Sequence, residues 1–148
     1  MKMIKNFLCG AAVILVTQSI VNADPLISAK EAALPVASKA LLTRGISRGP
    51  AIKLNSPEAD TPVKSPFNFK VAFEARGDAK IDQNSIKVIY MKLPFVDLTP
   101  RLKNSISQIG IDYPKADVPP GKHSIKVTVK DSDGRETNTI FTLVVTKQ

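Results

Sequence analysis

Tryptophan is absent from the 148 residues, and cysteine and histidine occur once each, as Cys9 and His123. A single cysteine cannot close an internal disulfide, and a single histidine cannot supply a multi-histidine metal centre. Glycine is sparse, at seven residues, and neither a phosphate-cradling glycine loop nor a Gly-x-Ser-x-Gly elbow occurs. A serine nucleophile needs a base, and His123 is the sole imidazole. Carboxylates are present, but nothing in their spacing selects a hydrolytic pair. No run reaches the ~20 apolar residues of a membrane span. The chain therefore reads as non-enzymatic, with no cofactor, no metal and no catalytic residues expected.

What is there begins with an address. Lys2 and Lys5 give a positive start, and residues 7–16 (FLCGAAVILV) form a short apolar run. Val21-Asn22-Ala23 makes a small-residue exit before Asp24-Pro25. This is the pattern of a secretory signal peptide over residues 1–23, with cleavage expected after Ala23. Cys9 lies inside the apolar run rather than after it, so it does not fit an acylated lipoprotein cysteine. The expected location is outside the cytoplasm, in the periplasm or extracellular. The processed chain has no cysteine, so its fold relies on its core rather than on disulfides.

The net charge is +8, and removing the leader takes away two lysines and no acid, leaving +6. The charge is spread along the chain, which favours weak attraction to anionic surfaces. Nucleic acid is not an expected partner. The lysine row around Lys126 and Lys130 has no interleaved aromatic on which bases could stack.

Residues 24–50 are rich in alanine and leucine on both sides of Pro35. The proline should end or kink any helix at Leu34. Residues 44–50 (RGISRGP) read as a basic hinge. This segment is expected to be either a partly helical, flexible tether or a short helix docked on the domain or on a partner.

From residue 51 to 148 the apolar period becomes two. Residues 51–54, 67–75, 85–91, 109–112, 123–130 and 139–146 read as strands. Phe67, Phe69, Val71 and Phe73 share one face of the second of these. Ile125, Val127 and Val129, and then Phe141, Leu143 and Val145, repeat the pattern later. Residues 56–66, with three prolines, read as a connection. Thr99-Pro100 reads as the cap and first residue of a short helix. Asp131-Ser132-Asp133-Gly134 reads as a hairpin turn. Asp131 and Asp133 could lend oxygens to Ca²⁺, but Arg135 follows at once and a calcium loop needs more ligands. About seven short strands joined by turn-rich loops predict an all-β, antiparallel sandwich.

The stretch from Val118-Pro119-Pro120-Gly121 through His123–Lys130 to Asp131-Ser132-Asp133-Gly134 resembles the last hairpin of bacterial immunoglobulin-like domains. In those, a Pro-Gly turn precedes an aromatic residue, an alternating strand and an Asp-x-x-Gly turn. The resemblance extends over about residues 50–148 and implies an Ig-like β-sandwich. His123 stands where such domains often carry a corner tyrosine bonded back to nearby backbone, and an imidazole N–H can replace that bond. The antibody-type Cys…Trp…Cys signature is absent.

One face is unusual. Lys87, Ile89 and Met91 point away from the core-facing Ile86, Val88 and Tyr90, so both sides of that strand carry apolar groups. In a sandwich they neighbour Lys126 and Lys130 and the outward Ile140, Thr142 and Val144. These eight residues form the candidate interaction face, covered either by residues 26–42 or by a partner. The expected function is an exported binding or scaffolding module at the cell envelope, acting on an envelope protein or an anionic surface polymer. The alternative is a periplasmic accessory subunit docking on an enzyme or transporter, and a small hydrolase is the remote one.

Overall fold

The computed structural model describes residues 25–38 and 47–147. The expected leader with Cys9, residues 39–42 and the first part of the hinge lie outside the described residues. Among the described residues the strands are β1 (Ala51–Ser56), β2 (Pro62–Lys64), β3 (Phe67–Glu74), β4 (Ile81–Tyr90), β5 (Val96–Asp97), β6 (Ile106–Ser107), β7 (Gly110–Ala116), β8 (Gly121–Asp131) and β9 (Glu136–Thr146). Two single-turn helices are present, α1 (Ala29–Ala32) and α2 (Thr99–Leu102). The strands make a four-stranded sheet, ordered β1-β3-β7-β6, and a five-stranded sheet, ordered β2-β9-β8-β4-β5. The protein is all-β, with the two-sheet architecture of an Ig-like sandwich.

The period-two segments build both inner faces. Phe67, Phe69, Val71 and Phe73 of β3 are buried, while Asn68, Lys70 and Glu74 between them are exposed. Ile125, Val127 and Val129 of β8 and Phe141, Leu143 and Val145 of β9 meet them from the other sheet. Each such side chain contributes about 1.5–3 kcal/mol when fully buried, and with no disulfide this apolar layer is the main source of stability.

Among the described residues the strand count is nine rather than about seven, and one pairing is parallel. Three short strands lie outside the expected segments: β5 and β6, of two residues each, and β2, which falls inside residues 56–66, expected to be a connection. Three residues are too few to show an alternating pattern, and Pro62 is tolerated because β2 lies at a sheet edge. The chain crosses from β1 in one sheet to β2 in the other, so it arrives running in the same direction as β9. β4 begins at Ile81, ahead of the expected Ser85, because a register shift between Asp82 and Lys87 inserts polar residues and breaks the two-residue period.

The helix start also differs. Leu98 is the N-cap of α2, and Thr99 is its first residue. The Thr99 hydroxyl does not cap the helix. It accepts the Val88 N–H of β4 at 2.9 Å, while the Asp97 carboxylate accepts the Thr99 N–H at 2.9 Å.

Residues 25–38 form a strap across one end of the sandwich. Leu26 and Ile27 are completely buried and belong to the same hydrophobic cluster as the strands. α1 opens with a capping box between Ser28 and Glu31, and it stops at Ala32, before the proline-restricted Leu34. One turn of helix is not stable alone, and this one is tied down from outside. Arg101 reaches both Glu31 oxygens, at 2.6 and 2.9 Å, and the Leu26 carbonyl at 2.8 Å. Lys92, almost entirely buried, donates its ammonium to Ala32 O at 2.9 Å and Leu34 O at 3.0 Å. Beyond the helix, Val36 bridges to Lys92, Ala37 N donates to Met91 O and Leu93 N to Pro35 O.

Candidate interaction face

The pairing register of the five-stranded sheet decides which residues share its outer surface. Residues directly opposite one another in an antiparallel pair point the same way. Ile89 of β4 pairs with Lys126 of β8, which pairs with Ile140 of β9. One row along, Lys87 pairs with Thr128. On the other side, Met91 N donates to Ser124 O at 2.9 Å, and Ser124 pairs with Thr142. Val144 lies opposite Lys122, and Lys130 lies opposite Glu136. The topology thus places all eight candidate residues on one side of β4, β8 and β9.

They are not equally accessible. Lys87 and Lys130 are exposed, and Ile89, Lys126, Ile140, Thr142 and Val144 are half-buried. Met91 is buried at 3% exposure, because it lies where the strap and the residues after β4 meet the sheet. There it forms part of an open groove of about 270 Å³, lined by Ile89, Met91, Phe95 and Lys126.

Phe95 escaped sequence reasoning, as did two neighbours. Val36, Leu93 and Phe95 are 64%, 46% and 51% exposed, and they are three of the four large apolar residues exposed among the described residues. The Val36–Lys92 bridge and the Leu93 N to Pro35 O bond hold the strap beside this loop, and Phe95 lines the groove with Ile89, Met91 and Lys126. The signal in the sequence was Leu93-Pro94-Phe95-Val96, an apolar run interrupted by proline and therefore too irregular for a strand template. The face is thus larger than the eight residues, continuing from β4 onto the loop before β5.

Its charge is unbalanced locally. Lys130 has Glu136 at 3.4 Å. Lys87, Lys122 and Lys126 have no carboxylate within 4 Å among the described residues. Asp97 lies opposite Ile89 and so borders this face, with one carboxylate oxygen accepting the Thr99 N–H.

Other polar clusters are committed to the fold. His123, facing inward, bonds to Pro119 O through Nε2 at 2.7 Å and to the Tyr90 hydroxyl through Nδ1 at 2.8 Å. The imidazole makes the backbone bond expected of a corner residue. Asp131 is buried, and its carboxylate accepts from Asp133 N, Arg135 N and Arg135 Nε at 2.8–3.0 Å. Burial alone would raise its pKa, but the backbone and side-chain bonds from Arg135 and the guanidinium charge lower it overall. Arg135 also contacts Asp133 at 2.9 Å, so a guanidinium occupies the place a cation would take. No group of three or more His, Cys, Asp or Glu side chains suitable for a metal ion occurs among the described residues. A wider groove of about 490 Å³ between β4, α2 and β6 includes Gln83, Asp97 and Thr99, which respectively bond to Ile106 O, Thr99 N and Val88 N. No helix among the described residues is long and apolar enough to cross a membrane.

No known protein family matches the sequence, and no characterised protein does. Among solved structures, matches are at low identity. An endo-beta-1,4-mannanase from Thermotoga petrophila matches at TM-score 0.46 and 14% identity, over 68% of this chain and 20% of that one. Fibronectin(III)-like modules of Clostridium thermocellum CbhA match at TM-score 0.39 and 13% identity, over 66% of this chain and 47% of that one. An engineered protein matches at TM-score 0.43 and 12% identity, over 66% of this chain and 20% of that one. The chain thus spans about a fifth to a half of the length of these structures.

Proposed function

We propose that the protein is an exported, non-enzymatic binding module of the cell envelope, recognising a protein partner through the outer face of β4, β8 and β9. The observation that carries this reading is the Ile89–Lys126–Ile140 row together with the apolar groove that Ile89, Met91 and Lys126 form with the exposed Phe95. Contiguous apolar surface beside unmatched lysines is the composition of a recognition patch rather than of a merely solvated face. The leader pattern of residues 1–23 supports export. The best-formed polar clusters, around His123 and Asp131, are spent on internal hydrogen bonds, which supports recognition over bond-making.

The test is recovery of partners from native envelope with the tagged, processed chain, alongside a Lys87→Glu/Lys126→Glu variant of equal thermal midpoint. A stoichiometric envelope protein retained by the parent and lost by the variant supports the reading. Equal recovery by both, or turnover in a hydrolase substrate screen, overturns it. If the recovered protein is an enzyme or transporter, the module acts as its accessory subunit. Salt-sensitive retention on anionic polymer without a protein identifies that polymer as the partner instead.

A further inference from the structure

Resting on that reading, we infer that the groove beside Phe95 is the anchor point of the partner. It takes one apolar side chain of leucine or phenylalanine size, presented next to a carboxylate. Three of the lining residues, Ile89, Met91 and Phe95, are apolar, and the fourth, Lys126, is the only charged one. A cavity of about 150 Å³ already accommodates a benzene ring, so the groove of about 270 Å³ has room for one large side chain. It is smaller than the roughly 300–1,000 Å³ typical of small-ligand sites, which suits a single protruding anchor better than a whole metabolite. Met91 has an unbranched, polarizable side chain that adapts to the shape of what enters.

Charge complementarity selects the neighbour of that anchor. Lys126 lines the groove with these apolar residues and has no carboxylate within 4 Å among the described residues. Lys87 is in the same position one row away, as is Lys122 at the other end of the face. An acid flanking the apolar anchor meets Lys126, and further acids along the partner meet the other two. The cation lies in the middle of the β4–β8–β9 surface, between Ile89 and Ile140. That arrangement favours a strip of protein laid over β4, β8 and β9 over a bilayer surface.

Met91 is a unique reporter, because the other two methionines, Met1 and Met3, belong to the leader. With methyl-labelled methionine, N-acetyl-Glu-Phe-Glu-amide should move the Met91 methyl resonance saturably at millimolar concentration. Phe95→Ala and Lys126→Glu should each weaken that response about tenfold, equivalent to about 1.4 kcal/mol. Ile109→Ser, an exposed apolar site remote from this groove, should leave it unchanged. The inference is overturned by an equal response to N-acetyl-Lys-Phe-Lys-amide, by a stronger one to octanoate, which would mean a free amphiphile site, or by a stronger one to phosphatidylglycerol vesicles, which would mean a membrane surface. Silence of Met91 towards every probe also overturns it. If an envelope protein is nevertheless lost from the Lys87→Glu/Lys126→Glu variant, the recognition function stands and only the anchor falls.

Discussion

The Tyr90 hydroxyl and His123 Nδ1 are joined at 2.8 Å inside the core, and the opposite ring nitrogen lies 2.7 Å from Pro119 O. A carbonyl only accepts, so Nε2 carries a proton, and the neutral ring accepts from Tyr90 through Nδ1. Burial pushes the imidazole below its ordinary value. The Pro119 bond opposes that shift, and the positive charge of Lys92 adds to it. Burial also pushes the Tyr90 phenol up to about 12, so it remains a donor at neutral pH.

A histidine that is harder to protonate in the folded state stabilises fully above its unfolded value of 6.5, and that contribution is lost as pH falls below it. Denaturant unfolding should therefore show stability declining as pH drops below 6.5, and His123→Gln should flatten that slope. His123→Ala leaves Tyr90 Oη and Pro119 O without partners and should cost about 3 kcal/mol. An unchanged pH slope in His123→Gln would remove the imidazole from the explanation.

The strap depends on two cations that reach it from the domain. Lys92→Met should destabilise by about 1–2 kcal/mol, since two partly buried carbonyls lose their donor. Hydrogen exchange at the Ala37 and Leu93 amides, which pair strap with domain, should quicken well beyond that of β8 amides. Arg101→Ala should act in the same direction.

Glu31 gives the strap its acid limit. The Arg101 side chain, helped by Ser28 and opposed by desolvation, lowers the Glu31 carboxyl from 4.5 to about 2. Its contribution is complete above 4.5 and is lost as pH falls towards 2. Protection of strap amides, taken relative to their intrinsic exchange rates, should therefore fall across that interval, and Glu31→Gln should show the lower protection already at neutral pH.

Gly110 of β7 lies opposite Ala72 of β3. A β-carbon built there would overlap Val71 O, and its φ of +157° lies outside the usual range for other residues. Gly110→Ala should force the two strands apart and cost about 2–4 kcal/mol in chemical denaturation. Gly77→Ala, where nothing lies within 4 Å of the added carbon, carries only the strain of a positive φ and should cost less.

Calcium offers a separate check on the β8–β9 turn. Because Arg135 satisfies Asp131 and contacts Asp133, micromolar Ca²⁺ should leave the thermal midpoint where it is. A clear rise would show that a cation can displace the guanidinium.

Legibility in the sequence followed the length of each pattern. β3, β8 and β9 carry three or four inward apolar residues each, so their period and inner faces could be read directly, and with them the shared outer face. β2 was hidden because three residues carry no period. Thr99 was misassigned because its capping chemistry is equally suited to a neighbouring strand, and only the fold brings Val88 within reach. Phe95, Leu93 and Val36 belong to irregular segments joined by non-local backbone bonds, which no local window contains. Lys92 looked like any surface lysine, since nothing nearby in the chain announces that its acceptors are Ala32 and Leu34.

The parallel pairing of Pro62–Lys64 with Val144–Thr146 has a mechanical consequence. Tension applied ahead of β2 and beyond β9 pulls these two segments past each other lengthwise, so their rungs bear load simultaneously. An antiparallel pair loaded at one end opens like a zip. A module tethered at both flanks would meet shear rather than peeling at this seam, once the strap and β1 that precede the three-residue β2 have been drawn off.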